Sequence, residues 1–201
     1  MQSAVPTSFR TLLPALLAVA LLAGCQPTKP RPSDTAGIGT QAETLEAQGD
    51  YAGAATAWQE LAAAFFYAAG AIGVSFAGDL ISLFVYWELM ALFSTVVVWS
   101  GGTAASRAAG IRYAILHLLG GVVLKVGIEG VVVSTGSIQI TPMLAQDFNS
   151  WMILCGILIN AAAPPLSAWL ADAYPEASPT GSVFLSAFTT KTAVLALILL
   201  F

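Results

Sequence analysis

Gly78 to Trp99, GDLISLFVYWELMALFSTVVVW, is an apolar run long enough to cross a bilayer, and it carries one carboxylate, Glu88, near its middle. At about 1.5 Å per residue, Leu80 to Trp99 predicts a helix spanning roughly the 30 Å hydrocarbon layer. An ionised carboxylate at that depth costs about 3 kcal/mol even on the lenient insertion scale, so Glu88 needs a partner, a hydrated cavity or a proton. Two readings fit: an ion or proton relay, or a neutral glutamic acid satisfied by a neighbouring helix.

The rest of the composition points the same way. Mean hydropathy is +0.80, 57% of residues are hydrophobic and 9% are charged, which excludes an ordinary soluble domain. The net charge of -4 with no Lys/Arg cluster speaks against nucleic acid as a partner. Cys25 and Cys155 do not form a disulfide framework, since one lies at a processing site and the other inside an expected span.

Residues 1–25 read as a bacterial secretory signal, with Arg10 as the positive region, Leu12 to Leu22 as the apolar core and small residues after it. Its end, Leu22-Ala23-Gly24-Cys25, resembles a lipobox, which implies Cys25 as a lipid attachment site. A chance match inside an ordinary transmembrane helix is the alternative. Residues 26–40 form a Pro/Ser/Thr/Gly linker. Residues 41–63 read as a helical hairpin turning at Gly49-Asp50, with Gly49, Tyr51, Ala54 and Trp58 where a tetratricopeptide-like unit places its turn glycine, aromatics and small contact residue. A single such unit cannot bury its own apolar face. Together these segments resemble the N-terminus of the outer-membrane lipoprotein that activates penicillin-binding proteins.

From residue 64 to 201 the pattern predicts about five spans. No charge occurs from Phe65 to Gly78, and Phe65 to Trp99 would be roughly 52 Å as one helix, so Gly78-Asp79 is the natural break between spans at about Ala62–Ala77 and Leu80–Trp99. A Gly-rich loop at 100–106 leads to a third span at about Ala108–Val133, carrying His117, Lys125 and Glu129. Thr135 to Asn149 is polar, either a short strand or an interfacial segment. The fourth span, Trp151–Ala173, contains Pro164-Pro165, which remove backbone donors and clash with the preceding turn. The result is either a simple kink or a broken helix of the kind at which ion sites are built. The fifth span, Gly181–Phe201, carries Lys191 about halfway; the chain stops within apolar sequence and reads as truncated. The fold expected is an all-α polytopic transmembrane bundle preceded by the signal segment and hairpin.

An acid and several bases spread over successive spans is the arrangement a proton relay needs, because coupled, desolvated groups can pass protonation from one to the next. Lys125 and Glu129, four apart, can equally be a structural pair on one helix face. Asp79, Arg107, Arg112, Asp172 and Glu176 fall near span ends and read as interfacial.

GDLISLFVYWELMALFS, RYAILHLLGG and INAAAPPLSAWLADAYPEASPTGSVFLSAFTTKTAVLAL resemble the antiporter-like membrane subunits of respiratory complex I and the multisubunit Mrp cation/proton antiporters, nearest to the D-type subunits of the latter. The resemblance covers residues 65–201 and the family's fourth to eighth helices. It implies Glu88 as a proton-pathway glutamate, Lys191 as the eighth-helix lysine and a seventh helix broken at Pro164 and Pro165. It also implies other membrane subunits, H+ and Na+ as partners, with any redox chemistry in those subunits. No quinone, flavin, iron–sulfur or metal-binding motif is visible in the chain, and no catalytic centre of its own is expected.

Departures from the family pattern bear on the mechanism. Asn160 stands where complex I subunits have a lysine; an amide orients water but carries no proton. Ser167 replaces a histidine and Ala171 a proline. Transfer across this step then falls to Lys125, His117 or water. Topology sets a further conflict. Lipoprotein processing at Cys25 would leave Ser100 to Arg112 outside the inner membrane, whereas the positive-inside rule places Arg107 and Arg112 in the cytoplasm. A junction between the two halves near residues 61–65 is the expectation that follows. The rival readings are a lipid-anchored envelope protein of the outer membrane and a non-functional chimeric fragment.

Overall fold

The computed structural model describes residues 37–201; the expected signal, Cys25 and most of the linker lie outside the described residues. The helices are α1 (Ile38–Ala47), α2 (Tyr51–Ser75), α3 (Leu80–Trp99), α4 (Ala104–Thr135), α5 (Phe148–Asn160), α6 (Ala168–Ala173) and α7 (Pro179–Leu200), with a 3-10 turn at Tyr174–Glu176 before α7. Three of them, α3, α4 and α7, are long and apolar enough to cross a membrane; α5 is a shorter apolar helix.

Helices α1 and α2 meet at Gly49, whose φ of 79° suits a residue without Cβ, and Asp50 caps α2 by accepting a hydrogen bond from the Gly53 amide at 3.0 Å. Ile38 and Ala42 pack on Ala57 and Leu61, and the Trp58 indole donates to Glu46 at 2.8 Å. Where two elements were expected, a hairpin helix to residue 63 and a separate span from about 62, a single helix runs from 51 to 75. The composition changes at residue 64, but neither glycine nor proline occurs between Gly53 and Gly70, so nothing interrupts the backbone bonds there.

The break at 78–79 falls where expected. Asp79 is extended and accepts from the Ile81 and Ser82 amides at 2.9 and 2.8 Å, closing the N-terminus of α3. The bond from the Ser82 amide, the largest cause, holds the Asp79 carboxyl below the usual aspartate range, and Ser150 does the same for Asp147 at the start of α5. Thr103 and Ser106 form a capping box that starts α4. The segment between α4 and α5 contains no strand; it touches α3 through an isolated bridge between Asp79 and Gln139 and a bond from the Leu80 amide to the Ile138 carbonyl.

Helix α5 ends at Asn160, four residues before Pro164, the position whose carbonyl a proline ring would strike in a continuing helix. The chain turns through Ala162, at φ 56°, and a cis Pro164-Pro165 bond before α6 resumes. The broken element is therefore two helices, α5 and α6.

Glycines set the spacing of the bundle. A Cβ on Gly156 of α5 would lie 2.7 Å from the Leu124 amide and 2.8 Å from the Gly120 carbonyl, and one on Gly127 of α4 would lie 2.6 Å from the Ile153 amide, so these two backbones approach as closely as chains can. Gly70 of α2 meets the Met90 backbone of α3 in the same way. Helices α3 and α4 run antiparallel in a constant register: Trp99 sits on Gly110, Glu88 on Gly121, and the Lys125 ammonium lies over the Phe84 ring at 5.5 Å.

Candidate functional site

Glu88 and Asn160 reach α4 from opposite neighbours. A Cβ on Gly121 would collide with Glu88 Oε1, so the carboxylate occupies the space a larger residue would fill; a Cβ on Gly120 would meet Asn160 Oδ1 at 3.4 Å. The adjacent glycines thus form a two-sided notch in α4, with the α3 carboxylate in one half and the α5 amide in the other. His117, one turn earlier on α4, is fully buried; its Nδ1 lies 3.0 Å from the Tyr113 carbonyl and its ring stacks on Tyr113 at 3.8 Å. Trp169 of α6 meets the His117 ring edge-on at 4.5 Å and donates to the Ile159 carbonyl at 3.1 Å, tying α6 to the end of α5 beside Asn160.

Trp87 Nε1, Glu88 Oε1, His117 Nε2 and both amide atoms of Asn160 are buried with no hydrogen-bond partner among the described residues. A buried polar atom left so costs about 1–3 kcal/mol, and a satisfied core does not concentrate five of them on four side chains. Of these side chains, Glu88 and Asn160 are the two that lie against the glycines of α4.

The other expected pathway residues lie nearby in depth. Lys125 is one turn along α4 from Gly121 and forms an ion pair with Glu129, both side chains partly exposed. Lys191 is on α7, where its ammonium donates to the Ser186 carbonyl. Gly181 of α7 packs on Val97 of α3; counting ten residues on to Lys191 and nine back to Glu88 puts both about 14–15 Å from that contact, at one depth in the bundle. The expected interfacial groups lie toward the ends: Arg112 holds Asp172 through two bonds of 2.7 Å, which lowers the Asp172 carboxyl from its ordinary range.

A second polar group was not anticipated. Tyr113 donates to Ser94 at 3.0 Å and lies 3.5 Å from Thr189 Oγ1, which in turn bonds the Tyr67 hydroxyl at 2.5 Å. All four side chains are buried, one each from α3, α4, α7 and α2.

Residues 77–201 match the family model "NADH:quinone oxidoreductase/Mrp antiporter, TM". The chain belongs to this family. NADH-quinone oxidoreductase subunit N of Deinococcus radiodurans is 27% identical over 146 residues, 66% of this chain and 30% of that protein. A putative antiporter subunit of Staphylococcus saprophyticus is 30% identical over 146 residues, 68% of this chain and 29% of that one. Among solved structures, a chain of respiratory complex I from Thermus thermophilus superposes with a TM-score of 0.60 at 22% identity, covering 94% of this chain and 46% of its own length. A chain of the Mrp complex from Dietzia sp. gives 0.56 at 23%, covering 93% and 41%. The chain therefore spans about 30% of the curated relatives' length and under half of these solved chains. With its three apolar helices, this member of the NADH:quinone oxidoreductase/Mrp antiporter family is a multi-pass membrane protein.

Proposed function

We propose that the chain is a proton-conducting segment of an antiporter-like membrane subunit, loading a proton at Glu88 and passing it through water ordered by Asn160 toward Lys191. The observation that carries this reading is the pair of unpartnered buried side chains Glu88 and Asn160 at the Gly120-Gly121 notch, with the unpartnered His117 Nε2 one turn away on the same helix. A carboxylate at that depth binds and releases a proton more cheaply than it holds a permanent charge. Asn160 can donate and accept at once, so it bridges water without changing charge. His117 and Lys125, on the same helix one turn to either side of the notch, are the auxiliary carriers.

On this reading residues 64–201 are the conducting part, and the linker at 26–40 and hairpin at 41–63 precede it. Its setting is the bacterial inner membrane, beside other membrane subunits of an Mrp-type or complex I-like assembly. H+ is the transported ion and Na+ the candidate counter-ion. The similarity to an NADH-quinone oxidoreductase subunit and to a putative antiporter subunit supports that setting.

The test is proton uptake by the full chain in liposomes holding a pH-sensitive dye. Glu88→Gln keeps the side chain's shape and removes its proton exchange, so uptake should fall to the lipid background. Uptake equal to that of the unaltered chain would remove Glu88 from the path.

A further inference from the structure

The seam between α2 and α7 carries polar side chains from one end of the bundle to mid-depth. At the end near Ser100 and Ala177, Glu60 of α2 accepts a hydrogen bond from Ser178, the residue that caps α7. Further in, Ser182 donates to the Tyr174 carbonyl at 2.7 Å, and the Leu185 carbonyl accepts from the Tyr174 hydroxyl at 2.7 Å and lies 3.5 Å from the Tyr67 hydroxyl. Next come Tyr67 and Thr189, then Tyr113 and Ser94. Beyond that level α2 buries the apolar Ala71 and Val74, while α7 buries Thr190 and Thr192 along with Ala193, Ala196, Leu197 and Leu200.

What packing alone does not demand is a set of hydroxyls that bond one another across four helices, as Tyr67, Thr189, Tyr113 and Ser94 do. This set lies beside the candidate site. Tyr113 stacks on His117, and His117 lies one turn from the notch that holds Glu88. Spacing along the helices is what keeps the groups in line. Glu60 and Tyr67 are two turns apart on one face of α2, and Ser178, Ser182, Leu185 and Thr189 follow one face of α7.

We propose that this seam, from Glu60 and Ser178 to Tyr67, Thr189, Tyr113 and Ser94, is the branch through which protons pass between the solvent at the Ser100 end and the depth of Glu88. The inference rests on Glu88 being a proton-loading group. Each hydroxyl accepts a proton on its oxygen and releases its own to the next acceptor, so one proton taken up at the Glu60 carboxylate is matched by a different one released at the inner end and the column keeps its composition. Water carries the proton from Ser178 to Tyr67, where the intervening Tyr174 and Leu185 carbonyls only accept, and from Ser94 to Glu88. Glu60 and Tyr67 both lie upstream of the matched residues 77–201, so on this proposal the conducting part extends back past residue 64 into α2.

The experiment is time-resolved infrared spectroscopy of the full chain in detergent after a pH jump, reading the carboxyl band lost in Glu88→Gln. Tyr67→Phe and Thr189→Val should slow the rise of that band by about tenfold or more while leaving its final amplitude unchanged, and Thr189→Ser should restore the rate. A helix clamp without proton transfer would leave the rate unchanged in all three variants, and that result overturns the branch while leaving Glu88 as a loading group. No pH-dependent Glu88 band in the unaltered chain would overturn both. Should Tyr67→Phe fail to fold, the Thr189→Val and Thr189→Ser pair decides alone, because the two differ in the hydroxyl and only slightly in bulk at the seam.

Discussion

Glu88 and Asn160 face adjacent glycines of one helix, Gly121 and Gly120, so a carboxylate from α3 and an amide from α5 lie at the same depth on either side of α4. Glu88 could not sit there against a larger residue, whereas Asn160 lies at ordinary contact distance from where a methyl would be. The notch, more than either side chain alone, defines the candidate site.

Gly121→Ala tests the notch directly. The added methyl would collide with the flexible end of Glu88, so the helices stay packed while the carboxylate is pushed aside. Liposome proton uptake should drop toward the Glu88→Gln level with little change in detergent melting temperature. Gly120→Ala meets Ile159 Cγ2 at 3.1 Å and Asn160 Oδ1 at 3.4 Å, contacts that yield by a few tenths of an ångström, and its effect on uptake should be smaller. Equal effects would mean that the notch does not seat Glu88 specifically.

Asn160→Leu separates stability from transfer. Asn160 is fully buried and its amide makes no hydrogen bond to the described residues, so an apolar replacement of similar size sacrifices none. Melting should shift by an amount equivalent to about 1 kcal/mol or less, in either direction. Proton uptake should nonetheless fall, because leucine cannot order water between Glu88 and α7. A large loss of stability with uptake retained would make Asn160 a packing residue.

Much of this arrangement is legible in the sequence, and the parts that are not have a common cause. The limits of α3 follow from Gly78-Asp79 and a Gly-rich loop, and the end of α5 from Pro164-Pro165, all local punctuation that acts within a turn or two. The GG of RYAILHLLGG carries a signal for the notch, since adjacent glycines inside an apolar helix mark close approach. Tyr67, Ser94, Tyr113 and Thr189 offer no such signal. Each is an ordinary residue on its own helix, and only packing of four helices makes their hydroxyls meet. The continuity of α2 is hidden because a shift in hydropathy at residue 64 looks like a boundary, although hydropathy alone breaks no backbone hydrogen bond.

Acid should loosen the bundle from the end that holds Asp79 and Asp147. Both carboxyls are held below the ordinary aspartate value of about 3.9 by backbone amides at helix starts. Their contribution is therefore present above that value and is lost as pH falls through the lowered folded-state value. Melting temperature measured from pH 6 downward should stay level and then fall below about pH 4. Asp79→Asn still caps α3 but does not titrate, so its acid-induced fall should be shallower. An identical profile would assign the acid transition elsewhere.

Charge also distinguishes the two ends of the bundle. Arg107 and Arg112 lie near the loop between α3 and α4, beside Asp172 and Glu176, and Asp79 and Asp147 lie at the opposite end; the positive-inside bias, which counts Lys and Arg, predicts that this loop is cytoplasmic. A cysteine placed at Thr103, with Cys155 replaced, should be protected from a membrane-impermeant thiol reagent in intact cells and labelled after lysis, with peptide mapping to separate any label on Cys25. That outcome would put Glu60 and the mouth of the α2–α7 seam on the cytoplasmic side, where protons would enter. Labelling of intact cells would reverse the bundle. It would mean that the lipoprotein-like start of the chain, and not the arginines of α4, sets its orientation, and the seam would then open to the outside.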